Sequence, residues 1–231
     1  GDSRIRVITN GFDEEDYPVV RSGRGTGKFL ILYTGKLHKK VQDPSLFFEA
    51  LRDLIDEQKI DRKDVEARFY IHGYDKPKIR ELARAYSLDD VVIEKDIVSH
   101  KECMELLPQA SALLFFGWQG RGAYGHYSAK IFEYIGAGRP IIALARTGSS
   151  CVEDLIRATR SGSVAHSKDE LKSLIMSLYQ EYREKGMPVF RGYGPEISKY
   201  SRLHKAEELA VILNGISGAK KTEKELSRAQ G

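Results

Sequence analysis

The sequence predicts an α/β fold with a doubly wound parallel sheet. Three observations carry that reading. Short, continuously apolar runs alternate with amphipathic segments along most of the chain. The runs lack the polar alternation of half-exposed strands, which suits strands covered by helices on both faces. The 231 residues, 41% hydrophobic and 30% charged, are enough to bury a full core in one or two domains. Together these define a Rossmann-like architecture.

The elements follow in order. FLILYT, residues 29–34, reads as a buried strand. In 44–58, Leu46, Phe47, Ala50, Leu51, Leu54 and Ile55 fall at helical spacing. ARFYIHG, 67–73, is the next strand, and 76–87 a helix that tolerates proline in its first turn. A short strand at 91–94, a short helix at 100–110 and a strand at 111–116 come next. A glycine-rich loop then leads into SAKIFEYIGAGRPIIAL, 128–144, a helix followed by an apolar strand after Pro140. Residues 150–159, 162–166 and 167–185 read as helix, strand and helix, and 197–216 as a last helix packing back. The charged tail, 217–231, lacks a core pattern and is expected to be disordered. Residues 1–27 read as a linker into a domain spanning 28–196, with a short strand in IRVIT, a turn at Asn10-Gly11 and a basic loop over 21–28. Such a start suggests a piece of something longer.

The charge balance narrows the partners. Lys and Arg number 37 against 33 Asp and Glu, a net +4. This mild, evenly mixed excess suits a phosphorylated small molecule or the edge of an anionic membrane, and argues against nucleic acid. Cys103 and Cys151 have no CxxC partner, which fits packing residues in a reduced, cytoplasmic compartment. No apolar run reaches the roughly 18 residues of a membrane span.

Ligands of open parallel sheets sit at the carboxyl ends of the strands, where three loops are chemically loaded. In the first, Gly35 allows a tight exit, and Lys36, Lys39 and Lys40 either hold a phosphate by point charge or are simply solvated. In the second, Gly73 leaves room for a ligand, and His72 either faces it or packs in the core. The third contains Gly117, Gly120, Gly122 and Gly125 and ends at a helix start. Ser128 caps that helix or sits in its first turn, whose free N–H groups favour a phosphate. Lys130 adds charge there. Glu133 lies roughly 7 Å further along the axis. That offset matches the distance from a diphosphate to a ribose diol, whose hydroxyls a carboxylate can accept. The plainer alternative is a surface glutamate paired to a lysine. Trp118 is either a stacking platform for a sugar or base or a loop anchor, and His126, beside the helix start, is a candidate contact to the sugar or diphosphate. Residues 120–125 match G-x-G-x-x-G, but a dinucleotide site places that pattern in the first βα turn, with an acidic residue after the next strand. Here it comes late and Arg146 follows the next strand, so NAD(P) is disfavoured.

VITNGFDEEDY, LILYTGKL, KKVQDPSLFFEAL, FYIHG and YSAKIFEYIGAGRPIIAL, taken together, resemble the C-terminal half of GT-B glycosyltransferases of the glycosyl transferases group 1 domain, from Arg6 to about Ile216. The resemblance implies a donor-binding domain whose partner, the N-terminal GT-B domain, carries the acceptor site and often the catalytic base. It assigns diphosphate binding to Lys36, Lys40 and the backbone of Ser128, Ala129 and Lys130, and ribose binding to Glu133. The base falls near Ile97 and Val98. A nucleoside-diphosphate sugar is then a substrate, with no cofactor and no metal. The acceptor is a glycan, lipid or protein, and the full-length protein has a possible membrane surface contact. Many members carry a second glutamate eight positions before the ribose one. Here that position is Gly125, which leaves donor sugar and stereochemistry open. A non-catalytic nucleotide-binding module and half of a sugar-nucleotide epimerase are the alternatives.

Overall fold

The computed structural model describes residues 5–17, 27–38, 41–118, 125–145 and 150–228, with side chains described as far as residue 216. Six strands form one sheet in the order β3-β2-β1-β4-β5-β6, and all its pairings are parallel. They are β1 (Phe29–Thr34), β2 (Val65–Ile71), β3 (Val92–Asp96), β4 (Ala112–Phe116), β5 (Ile141–Leu144) and β6 (Gly162–Ala165). The helices between them are α1 (Ser45–Asp56), α2 (Lys76–Ala85), α3 (His100–Leu106), α4 (Ala129–Gly136) and α5 (Cys151–Thr159). After β6 come α6 (Lys168–Lys185), the short α7 (Gly194–Ile197) and the long α8 (Arg202–Arg228).

The absence of polar alternation in the strands is explained by two separate cores. Successive side chains of a strand point to opposite faces. Phe29, Ile31 and Tyr33 of β1, with Leu114 and Phe116 of β4 and Ile142 of β5, pack on the side of α1, α2 and α6. Leu32, Leu113, Phe115, Ile141 and Ala143 pack on the other side, with α3, α4 and α5. Polar caps set several helix starts: Ser99 and Glu102 form a reciprocal capping box on α3, and Ser150 and Ser167 cap α5 and α6.

Strand order reverses between β1 and β4, whose register pairs Ile31 with Ala112 and Leu32 with Leu113. The connection after β1 runs to α1 on one face, and that after β4 runs to α4 on the other. At such a reversal the crevice at the carboxyl end of the sheet is the usual ligand position in this architecture.

The two ends of the chain differ from the sequence reading. Residues 5–9 form no strand, and Phe12 instead makes an isolated parallel bridge with Ser201. Its N–H donates to Tyr200 O (3.0 Å) and its carbonyl accepts from Arg202 N (2.7 Å). The expected last helix is divided: α7 gives way to a single 3-10 turn, and α8 starts only after Ser201, whose extended backbone pairs with Phe12. The backbone of α8 continues to Arg228, through the segment read as a disordered tail. No helix among the described residues is long and apolar enough to cross a membrane.

Gly136, in the last turn of α4, is where the leading segment docks. A Cβ there would lie 2.7 Å from both Phe12 Cδ2 and the Tyr17 hydroxyl. Gly136→Ala is therefore expected to destabilise the protein by about 1–2 kcal/mol, the steric cost exceeding the gain in helix propensity. Thermal unfolding checks the loss. Hydrogen exchange at the Phe12 and Arg202 amides should quicken, and unchanged protection there would contradict the docking account.

Candidate functional site

The crevice is organised by the exit of β1. Gly35 adopts φ +98° and its N–H donates to Tyr70 O at 2.8 Å. This left-handed backbone favours glycine, and a Cβ would come 3.3 Å from Lys130 Cε. Lys130 itself projects from the first turn of α4, with Nζ 3.8 Å from the centroid of the Tyr33 ring. The side chain is half-buried, and loss of hydration pushes its ammonium down to about 7, opposed by the charges of Glu133 and Cys103. An ammonium so placed is poised to gain from a nearby anion.

Ser128 occupies the N-cap position of α4 with extended backbone, but its side chain makes no capping hydrogen bond. Its carbonyl accepts from Ile131 N at 3.1 Å. The helix start is thus not closed by its own hydroxyl, and Ala129 beside it is exposed.

Glu133 lies one turn further on, and its side chain is 28% exposed. Its carboxylate is 4.0 Å from His100 Nδ1, at the start of α3, and the other nitrogen of that ring is 2.9 Å from Asp16 Oδ2. Tyr17 donates to the Glu133 backbone carbonyl at 2.6 Å. Burial, and then the Glu133 charge, raise the Tyr17 hydroxyl well above its ordinary range, so it stays a donor. Among the described residues no lysine lies within ion-pair distance of Glu133, and the basic side chain that faces it at 4.0 Å is the His100 ring.

The Lys36 loop is fixed from three sides. Tyr33 OH donates to Lys36 O (2.8 Å), Leu37 N donates to Asp75 Oδ2 (3.1 Å) and His38 N donates to Gln42 Oε1 (3.0 Å). The Gln42 amide donates in turn to Phe116 O at 2.7 Å, tying the loop to the end of β4. Thr34 N donates to Tyr134 OH at 3.0 Å, which holds α4 against β1. Gln42, Asp75, Tyr134, Asp16 and His100 escaped the sequence reading. The one available signal was the hydroxyl of Tyr134 within the apolar stripe of IFEYIG.

The other expected residues divide. His72 lies just past β2, half-buried and stacked on Tyr74 with centroids 5.2 Å apart. Gly73 is exposed with open space where a Cβ would be. Ile97 is 46% exposed, and Val98 is half-buried, two residues before His100. His126 packs on Trp118 with centroids 3.7 Å apart, and Trp118 reaches His38 at 5.4 Å. Burial and the neighbouring Lys36 and Lys130 lower the proton affinity of His38. Gly125 is exposed, with open space where the resemblance places a second carboxylate. The structure thus brings Gly35 against Lys130, with Ser128 and Glu133 on the same helix, while the Lys36 ammonium stands 5.7 Å from the Tyr74 ring centroid and His126 belongs to an aromatic cluster with Trp118 and His38. Lys39, Lys40, Gly120, Gly122, Arg146 and most of the basic loop at 21–28 lie outside the described residues. Among the described residues no group of three or more His, Cys, Asp and Glu is placed to hold a metal ion.

Comparison with known proteins identifies the family and the fold. The profile of the family described as "Glycosyl transferases group 1" matches residues 28–181. No curated protein matches the chain by sequence. Among solved structures, Anabaena Alr3699/HepE, in complex with UDP and glucose, superposes with a TM-score of 0.68 at 15% identity, covering 91% of this chain and 57% of that one. Sucrose-phosphate synthase from Thermosynechococcus elongatus gives a TM-score of 0.69 at 13% identity, covering 93% and 53%. WaaG, a glycosyltransferase involved in lipopolysaccharide biosynthesis, gives 0.61 at 16% identity, covering 79% and 49%. The chain thus spans about half the length of these neighbours. The matched family, the 3-2-1-4-5-6 parallel sheet and these neighbours agree: the chain belongs to the glycosyl transferases group 1 family, with the Rossmann-like fold of a GT-B C-terminal domain.

Proposed function

We propose that this chain is the donor-binding half of an enzyme that transfers a sugar from a nucleoside diphosphate to an acceptor. The observation that carries the reading is the half-buried Lys130 at the start of α4, beside Gly35 and one turn before Glu133. A diphosphate at this helix start meets free N–H groups, the positive end of the helix dipole and the Lys130 ammonium. Lys36, with Lys40 of the same loop, adds charge from the β1 side. Glu133 accepts hydrogen bonds from the ribose hydroxyls, and the base lies toward Ile97 and Val98. Gly73 and His72 border the ligand at the end of β2.

As the glycosidic bond to the diphosphate breaks, negative charge grows on the leaving oxygen. These cations and the helix start stabilise it without a metal ion or cofactor. HepE, which holds UDP and glucose in its crystal, supports a nucleotide-sugar ligand for the same fold. The acceptor site and catalytic base belong to an N-terminal GT-B domain, in a cytoplasmic enzyme of glycan or glycoconjugate synthesis that works at a membrane surface where its acceptor is lipid-linked.

Calorimetric titration with UDP, GDP, dTDP and NADP tests this. One nucleoside diphosphate should bind selectively, and Glu133→Ala should weaken it by about tenfold or more, the worth of hydrogen bonds to a charged group. Binding to none of them, or binding indifferent to Glu133, would overturn the site.

The pH dependence gives a second test. Lys130 ionises near 7 in the free protein, and a bound diphosphate favours its charged form. Affinity should therefore be full below pH 7 and fall by up to about tenfold per pH unit above it. Binding at pH 8 should take up a proton, seen as a dependence of the heat on the buffer's ionisation enthalpy. Lys130→Met should remove both effects.

A further inference from the structure

At the opposite end of the sheet from the crevice, a cavity of about 520 Å³ opens where Ile141 and Gly162 begin β5 and β6. β6 is the last strand in the sheet order, and the cavity draws its walls from both layers, α5 on one and α6 on the other. Arg157 lies in the last turn of α5 and Arg160 just after it, Leu174 and Glu181 belong to α6, and Val189 and Arg191 to the segment that follows.

The wall carries three arginines and one carboxylate. The carboxylate, Glu181, is already engaged: Oε2 accepts from Val189 N at 3.0 Å and from Arg191 Nη1 at 3.2 Å, and Oε1 accepts from Arg191 Nη2. Arg157 pairs within α5, 2.8 Å from Glu153 and 3.7 Å from Asp154. Arg160 differs. Its guanidinium stands 5.5 Å from the Tyr193 ring centroid, and among the described residues no carboxylate lies within ion-pair distance of it. Its backbone is left-handed at φ +52°, at a helix end where glycine is the usual residue. An exposed arginine therefore occupies a glycine-type position with its charge unmatched, on the wall of a cavity already rich in guanidinium.

This balance disfavours a cationic occupant and favours an anion. A guanidinium fork matches the oxygens of a phosphate with two parallel N–H···O bonds. The space exceeds what a bare phosphate fills and falls in the range of small-molecule sites, which pair apolar walls with a few placed polar groups. Val189, 41% exposed, and the half-buried Leu174 supply apolar wall for the rest of the molecule.

We propose that this cavity is a second anion site, which takes a small organic phosphate monoester: the arginines at the end of α5 hold the phosphate, and the organic body lies against Val189 and Leu174. The proposal does not depend on the donor-binding reading. The cavity sits at the amino ends of β5 and β6, whereas Lys130 starts a helix that follows the carboxyl end of β4.

Calorimetric titration of the 231-residue protein with phenyl phosphate, inorganic phosphate and benzyl alcohol tests this. Phenyl phosphate should bind saturably. Inorganic phosphate, which leaves the apolar wall uncovered, should bind more weakly by about tenfold, and benzyl alcohol should not bind. Arg160→Gly suits the left-handed backbone and Arg160→Gln keeps the side-chain stem, so both should fold, which thermal unfolding checks. Each should weaken phenyl phosphate by about tenfold or more, the worth of hydrogen bonds to a charged group. Lys130→Met should leave that affinity within about twofold, as a distant and independent change. No saturable binding of phenyl phosphate, equal binding of inorganic phosphate, or binding that survives both Arg160 substitutions would overturn the site. Loss in Lys130→Met with the Arg160 variants unaffected would overturn it too, by assigning the anion to the crevice.

Discussion

Lys130 packed against the Tyr33 ring beside Gly35 is the contact to which the rest of the candidate site is referred. An ammonium removed from water without a close counter-charge is costly, and among the described residues no carboxylate lies within ion-pair distance of it. The fold tolerates this because α4 is held in place by other means: Ile131, Phe132 and Ile135 are fully or almost fully buried, and Tyr134 reaches across to Thr34. Packing elsewhere on the helix thus maintains a cation that is short of an anion. An anionic ligand relieves that cost, which is the physical basis for reading the crevice as a diphosphate site.

The same helix is held from its other side by the leading segment. Phe12 bridges to Ser201, Tyr17 donates to the Glu133 carbonyl, and Asp16 pairs with the His100 ring that faces the Glu133 carboxylate. The segment before β1 and the segment before α8 therefore meet next to the residue proposed to read ribose. Any movement of that segment is felt at α4 through Gly136, where no side chain separates the helix from Phe12 and Tyr17.

Much of the fold was legible because its signals are local. FLILYT coincides with β1, and the apolar stripe Leu46, Phe47, Ala50, Leu51 and Leu54 faces the core as its spacing implied. The ends were less legible. A short apolar run such as IRVIT has strand character, but it needs a neighbouring strand edge to become one, and the chain offers it only a single bridge at Phe12. The division before α8 arises from pairing between Ser201 and Phe12, residues 189 positions apart, which no local pattern encodes.

The sequence by itself determined the alternation of elements, the glycine at the β1 exit and the placing of Lys130 and Glu133 one turn apart on a helix, because each depends on backbone sterics or on helical and strand periods. Tertiary structure alone decided the rest. It brought Tyr33 beneath Lys130 and Gln42 across to Phe116. It set His100 between Asp16 and Glu133, and buried Asp75, whose Oδ2 accepts from Leu37 N. Such contacts join residues from different strands and layers. Their energies come from desolvation and long-range hydrogen bonds, which exist only once the sheet has assembled.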